Sequence, residues 1–391
     1  MSLYFIGIDI SKYKHDCCII SAADQKVIAK TTIKNDKSGF DELLTIIHSL
    51  STPENIRIGF ESTAHYALNL ELFLENAHHS FMEVNPILIK EYKKSTTLRR
   101  TKTDSVDCES IARWLMTVEY KPHSKGFYHA YSLKSLTRLR DKLIRQRSFY
   151  LVKITNVLDH TFPEFKPFFN NRFSKTALYL LENYGSAEKM ARMNSASYDK
   201  LRSLSRGKFS PRQFLHLKEL AANTVGVNNS IFDVELNSLI TLYKSLAKEI
   251  DTLENEIHKL IDEVHPHYMS VPGIGPLSAA VIYSEYGDIS NFSNPSQMLA
   301  FAGIEPGVNQ SGTESHNGRM VKRGSSQLRY TIINCCLPLI RFDMTFAAYY
   351  TRKRSEGKPH RVAITHVAKK LVRVIYALER QGVDFNVQKL R

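Results

Sequence analysis

Two apolar runs near the N-terminus each stop at a carboxylate. The first is Tyr4-Phe5-Ile6-Gly7-Ile8-Asp9 and the second is Ile56-Arg57-Ile58-Gly59-Phe60-Glu61. Short runs rich in Ile, Phe and Tyr read as strands. A carboxylate at the end of a buried strand is costly unless something positive meets it. A further acidic pair, Asp104 and Asp107, follows in Thr101-Lys102-Thr103-Asp104-Ser105-Val106-Asp107. Three apart on a helix, the two share one side of it. The simplest arrangement gathers all four acids around one divalent cation, and hard oxygen ligands suit Mg²⁺ or Mn²⁺.

The surrounding pattern predicts further strands at 15–21, 26–33 and 81–84 and helices at about 38–50 and 66–77, with Pro86 opening another. Strands in a meander followed by strands alternating with helices imply an α/β region built on a mixed sheet flanked by helices. From about 133 to 160 the pattern is helical and basic, until Pro163 and Pro167 break it. Residues 176–230 are irregularly helical, with Ser205-Arg206-Gly207 and Ser210-Pro211 read as loops. Leu236, Leu239, Tyr243, Leu246, Ile250, Leu253, Ile257 and Leu260 then alternate spacings of three and four. That heptad run predicts a coiled coil or a long two-helix hairpin. His265-Pro266 ends it, and the remainder reads as all-α with a glycine-rich loop at 303–324. The expected domains are 1–165, 166–265 and 266–391.

The net charge of +14 implies a polyanionic partner. Basic residues gather in three places: before the acidic pair (Arg99, Arg100 and Lys102 among them), along the 133–160 helix, and through the C-terminal third. No stretch has the length of a membrane span. The N-terminus has neither a basic leader nor a cleavage site. The five cysteines lack a Cys-x-x-Cys spacing and their number is odd, so a disulfide framework is not expected and a reducing cytoplasm is.

Two further segments carry possible chemistry. In Ser270-Val271-Pro272-Gly273-Ile274-Gly275-Pro276, Gly273 and Gly275 form a turn like that of a helix-hairpin-helix motif, where a phosphate can approach the backbone. The same turn also serves as a plain helix–helix connection. In Gly307-Val308-Asn309-Gln310-Ser311-Gly312, Ser311 is a plausible nucleophile toward a phosphodiester. Lys322 and Arg323, some ten residues on, are placed to neutralise that phosphate. Loop serines more often cap helices or face solvent.

The order strand-Asp, strand-Glu, helix-Asp-x-x-Asp resembles what a ribonuclease-H-like fold presents for two-metal phosphodiester chemistry. More specifically, Gly7-Ile8-Asp9-Ile10-Ser11-Lys12, Phe60-Glu61-Ser62-Thr63-Ala64-His65-Tyr66, Arg100 to Asp107, Pro272-Gly273-Ile274-Gly275 and Gln310-Ser311-Gly312 with Lys322-Arg323-Gly324 downstream resemble the DEDD transposases of the insertion-sequence-110 family. Relatives of that family include the pilin-gene invertase. The motifs fall in family order across nearly the whole chain. Cys108 stands where many members carry alanine.

The resemblance implies a RuvC-like nuclease domain bearing Asp9, Glu61, Asp104 and Asp107, then a coiled coil, then a C-terminal transposase domain with Ser311 as the catalytic serine. It implies Mg²⁺ (or Mn²⁺) as cofactor, DNA as substrate, a structured guide RNA, and dimers that pair into a tetramer at synapsis. The expected activity is DNA transposition through a covalent phosphoserine intermediate. The alternatives are a site-specific invertase of the same family, a junction nuclease using water, and a non-catalytic nucleic-acid-binding relic.

Overall fold

A computed structural model describes residues 3–61, 66–96, 104–122, 127–171, 173–311 and 314–386; the side chains of 104–105, 127–129, 306–311 and 314–319 lie outside that description. The chain divides into two compact units, residues 1–128 with 288–293, and residues 129–287 with 294–391.

The first unit is built on β1 (Tyr4–Ile10), β2 (Lys14–Ser21), β3 (Val27–Lys34), α1 (Lys37–Leu50), β4 (Ile56–Glu61), α2 (Leu68–Asn76), β5 (Phe81–Val84), α3 (Pro86–Thr96) and α4 (Asp104–Leu115). Its five-stranded sheet has the order β3-β2-β1-β4-β5. β1, β2 and β3 form an antiparallel meander, while β4 and β5 add in parallel to β1. The meander needs only tight turns; the parallel neighbours need crossovers, which α1 and α2 supply. This is the mixed sheet the pattern predicts, and it has a ribonuclease-H-like topology.

Alternation along the strands sorts the two faces. Ile6, Ile8, Ile58 and Phe60 pack with Phe40, Leu43 and Ile47 of α1 and with Leu70 and Leu74 of α2. On the opposite face Phe5 meets Ile111, Trp114 and Leu115 of α4, and Cys18 and Ile20 meet Cys108 and Ala112. Adjacent Cys17 and Cys18 thus lie on opposite faces, and all five cysteines are buried thiols outside any disulfide.

Gly7 explains how α4 lies so close. A Cβ at this position would fall 2.2 Å from the Cys108 carbonyl oxygen and 2.4 Å from the Ala112 nitrogen. The helix backbone therefore rests on the β1 backbone. A Cβ on Gly59 would meet only the Leu115 side chain, at 2.7 Å. Lys30 of β3 pairs with Glu109 at 2.7 Å and pins α4 across the meander, while Arg113, one turn further along α4, holds the same carboxylate at 2.8 Å.

The second unit is almost wholly helical. It contains α5 (Phe127–Thr161, from His129 onward), α6 (Phe165–Phe168), α7 (Lys175–Asn183), α8 (Ala187–Ala191), α9 (Ser195–Leu204), α10 (Pro211–Ala222), α11 (Ser230–Val264), α12 (Pro276–Tyr286), α13 (Pro295–Ala302), β6 (Pro306–Ser311), β7 (Glu314–Met320), α14 (Ser326–Phe342), α15 (Met344–Ser355) and α16 (His360–Gln381). α5 and α11 run antiparallel: Arg140 donates to Glu254 at 2.7 Å, and further along His160 stacks on Phe232. α6 to α10 pack at the end where Ile154 and Leu158 meet Leu236 and Ile240. Ser210-Pro211, expected as a loop, is instead the N-cap and first residue of α10, with Gln213 completing a capping box. α11 ends as expected, with His265 in the left-handed region and Pro266 beyond it.

The buried face of α11 includes Ile240 and Ile261 as well as Leu236, Ile250 and Ile257. It is wider than a strict heptad seam, as in a helix packing on its own core. Leu239, Tyr243, Leu246, Leu253 and Leu260 remain half-exposed. Among the described residues no single helix is long and apolar enough to cross a membrane.

The region 303–324 departs from the expected loop. Residues 306–311 and 314–320 pair as a two-stranded antiparallel hairpin. Ser311 is the last residue of β6 and pairs with Glu314. Its base is tied down where the Val321 N–H donates to the Glu305 carbonyl at 2.8 Å.

Candidate functional site

β1 and β4 run in parallel with Ile8 opposite Phe60, so Asp9 and Glu61 stand next along, level with each other at the C-terminal ends of neighbouring strands. Their face follows from alternation. Phe5 and Gly7 on β1, and Gly59 on β4, all face α4. Asp9 and Glu61 continue those rows, about 4.8 Å apart by strand spacing. Both are half-buried.

α4 runs opposite to β1. Cys108 and Ala112 lie over Gly7, whereas Ile111, Trp114 and Leu115 lie over Phe5. The first turns of α4, which carry Asp104 and Asp107, therefore sit at the same end of the sheet as Asp9 and Glu61. The close approach at Gly7 sets this height. The N-terminal end of a helix also favours negative charge.

Asp107 has its own partner. Lys93, in the last turn of α3, places Nζ 2.5 Å from Asp107 Oδ1, with both groups largely shielded. A cation on the last turn of one helix meets a carboxylate on the first turns of the next, an arrangement both helix dipoles favour. In the sequence Lys93 is one of several basic residues ahead of the acidic pair, and helical spacing alone does not say which lysine reaches which acid.

Among the described residues no group of three or more His, Cys, Asp or Glu side chains converges closely enough to hold a metal ion. Asp104 is placed by its backbone only. The chemistry of the donor set still fits a hard divalent cation: carboxylates on two strand ends and a helix start, with one already drawing in an ammonium. Arg99, Arg100 and Lys102 lie outside the described residues.

The remaining predicted residues belong to the second unit. Gly273 has φ +96°, and a Cβ there would press on the Cys335 carbonyl and Pro338 of α14. Close packing of the turn on α14 thus accounts for that glycine. Gly275, the N-cap of α12, has open space where a Cβ would point, followed by Pro276 at the first helical position. Of the two, Gly275 is the one beside which a phosphate has room. Lys322 and Arg323 are exposed just past β7. Ser311 is placed at the end of β6, with its side chain outside the description.

A mixed sheet with acids on the ends of adjacent parallel strands and at the start of the covering helix is the framework of a ribonuclease-H-like domain. The comparisons with known proteins agree. Residues 6–163 match the DEDD transposase family model of the IS110 type, and residues 266–351 match the model described as Transposase IS116/IS110/IS902 family. The chain belongs to this IS110 family of transposases. It is 24% identical to the insertion element IS110 uncharacterized 43.6 kDa protein of Streptomyces coelicolor, across 97% of this chain and 95% of the relative. It is 25% identical to the insertion element IS900 uncharacterized 42 kDa protein of Mycobacterium paratuberculosis, across 97% and 96%. The pilin gene-inverting protein of Moraxella bovis is 24% identical, across 99% and 98%.

Proposed function

We propose that the chain is the DNA recombinase of a bacterial insertion sequence, and that it breaks and rejoins DNA through a covalent phosphoserine. The observation that carries this reading is the placement of Asp9 and Glu61 level on β1 and β4, on the face where α4 begins with Asp104 and Asp107. These four acids would hold Mg²⁺ or Mn²⁺, which supplies Lewis-acid stabilisation of charge on the scissile phosphate.

Ser311 is the nucleophile of this reading. Its Oγ forms a bond to phosphorus, the bond from phosphorus to a deoxyribose oxygen breaks, and the serine proton ends on that oxygen. The phosphoester bond is conserved, so no nucleotide is consumed, and a freed hydroxyl later displaces the serine in the reverse sense. Lys322 and Arg323, and the first-unit residues Arg99, Arg100 and Lys102, bind backbone phosphates, as does the backbone at Gly275, in the turn that Gly273 packs against α14. The half-exposed apolar stripe of α11 supports pairing of protomers through a coiled coil, with two dimers at synapsis. A structured RNA from the element selects the DNA. The full-length similarity to pilin gene-inverting proteins supports a second reading, inversion by the same chemistry.

The test is denaturing electrophoresis of reactions on labelled element-end DNA. Wild type with Mg²⁺ is expected to leave label on the protein, and Ser311→Ala to leave none. An adduct that persists in Ser311→Ala removes the serine from the mechanism, and metal-dependent cleavage with no adduct points to water as nucleophile. Sequencing of copurifying nucleic acid tests the guide: one discrete RNA supports it, random fragments do not.

Lys93 makes a separate prediction. Its ammonium holds the Asp107 carboxylate that a metal needs, so Lys93→Ala is expected to tighten Mn²⁺ binding. The expected gain is about fivefold, ~1 kcal/mol for a partly exposed ion pair. Calorimetric titration of the DNA-free protein with Mn²⁺ reads it, and unchanged or weaker binding refutes the competition.

A further inference from the structure

The C-terminal corner between α15 and α16 carries a charge distribution that its own fold does not require. From Tyr349 to Arg373 there are eight lysines and arginines and a single carboxylate, Glu356. Lys353 already holds Glu356 at 2.8 Å. Some of the cations have local reasons to be there. Arg352, Lys353 and Arg354 sit in the last turn of α15, where carbonyls favour positive charge, and Arg352 and Lys353 lie over the Tyr349 ring at 5.1 and 5.6 Å.

The rest do not. The first turn of α16 contains His360 and Arg361 and no acidic residue, the opposite of what a helix N-terminus favours. His366, Lys369 and Arg373 follow at i, i+3 and i+7, one stripe of α16. The stripe is crowded. Burial, and then Lys369, Lys353 and Lys358, hold the His366 imidazole below its ordinary value, with Glu356 opposing. Burial, and then Arg373, lower Lys369, with Glu305 opposing. Like charges packed this closely repel, and that cost is recovered when an external polyanion binds.

The location adds a second argument. Glu305, whose carboxylate acts electrostatically on Lys369, is the residue whose carbonyl closes the base of the β6–β7 hairpin. A phosphate backbone lying along the His366–Arg373 stripe is thereby brought to the foot of the hairpin that ends in Ser311.

We propose that Lys358, His366, Lys369 and Arg373 form a binding face for the phosphodiester backbone of a nucleic acid, separate from the glycine turn at 272–275. The proposal rests on the nucleic-acid reading above but not on the serine chemistry. The shared ligand chemistry is the phosphate backbone, and its two sources are duplex DNA and folded RNA.

The test compares wild type with the Lys358→Gln/Lys369→Gln/Arg373→Gln variant as full chains, using fluorescence anisotropy with a labelled duplex DNA and a labelled RNA hairpin across a salt series. Where duplex DNA is the ligand, the face predicts at least tenfold weaker binding to it. It also predicts a plot of log affinity against log salt that is shallower by about 2.7, three phosphate contacts at about 0.9 each. A loss on DNA alone, on RNA alone or on both supports the face and identifies its source. Affinity and slope unchanged on both overturn it. Should the triple variant melt early, Arg373→Gln alone, at an exposed residue, is expected to lower the duplex slope by about 0.9. Wild type that binds and forms an adduct while the variant binds equally well removes this face only. Wild type that binds neither probe removes the recombinase reading with it.

Discussion

Gly7→Ala is expected to cost about 3 kcal/mol, the upper end of overpacking penalties, and to lower the melting midpoint of the protein by roughly 10 °C. The added methyl group would fall on backbone atoms of α4, the Cys108 oxygen and the Ala112 nitrogen, which no rotamer change can move aside. Relief requires lifting the whole helix from β1. That same motion carries Asp107 away from the ends of β1 and β4, so activity should fall further than stability explains. Gly59→Ala is the matched control, since its methyl group meets the terminal carbons of Leu115, a side chain able to shift. Thermal unfolding followed by circular dichroism separates the two. Equal midpoints for Gly7→Ala and wild type would mean that α4 is not held at this height by Gly7.

Asp9→Asn and Glu61→Gln are each expected to reduce DNA cleavage by about a thousandfold or more, some 4 kcal/mol of lost charge stabilisation at the phosphate. Both replacements keep size and one acceptor oxygen, remove the charge and put an amide donor in place of the other oxygen. Thermal unfolding followed by circular dichroism checks that the fold survives the change. That combination, a lost reaction in an intact fold, distinguishes ligands from structural residues. Cleavage that survives both substitutions would remove these acids from the chemistry.

Much of the first unit was legible because its signals are strong and local. The runs ending in Asp9 and Glu61 became β1 and β4, and Pro86 opened α3 as expected. What the pattern could not express was the pairing. β1 and β4 are separated by two strands and a helix in sequence, and only their parallel register puts the two acids level. The Lys93–Asp107 pair was hidden for a similar reason, because it joins two helices and helical spacing alone does not say which lysine reaches which acid. The β6–β7 hairpin was missed because Pro306, Gly307, Asn309 and Gln310 give no apolar alternation. Its available signal was the glycine-led dipeptide between Ser311 and its partner Glu314. The heptad run lies on one long helix, α11, and burial of Ile240 and Ile261 shows that part of that surface serves the chain's own core.

In the proposed reaction the carboxylates of the first unit and Ser311, two hundred residues away in the sequence and in the other compact unit, act on one phosphodiester. Mass spectrometry of the protein–DNA adduct, after nuclease and protease digestion, tests it most directly. The predicted result is a nucleotide linked through phosphate to Ser311, formed by wild type with Mg²⁺ and absent from Asp9→Asn. A nucleotide on any other residue, or cleaved DNA without a linked peptide, would contradict it.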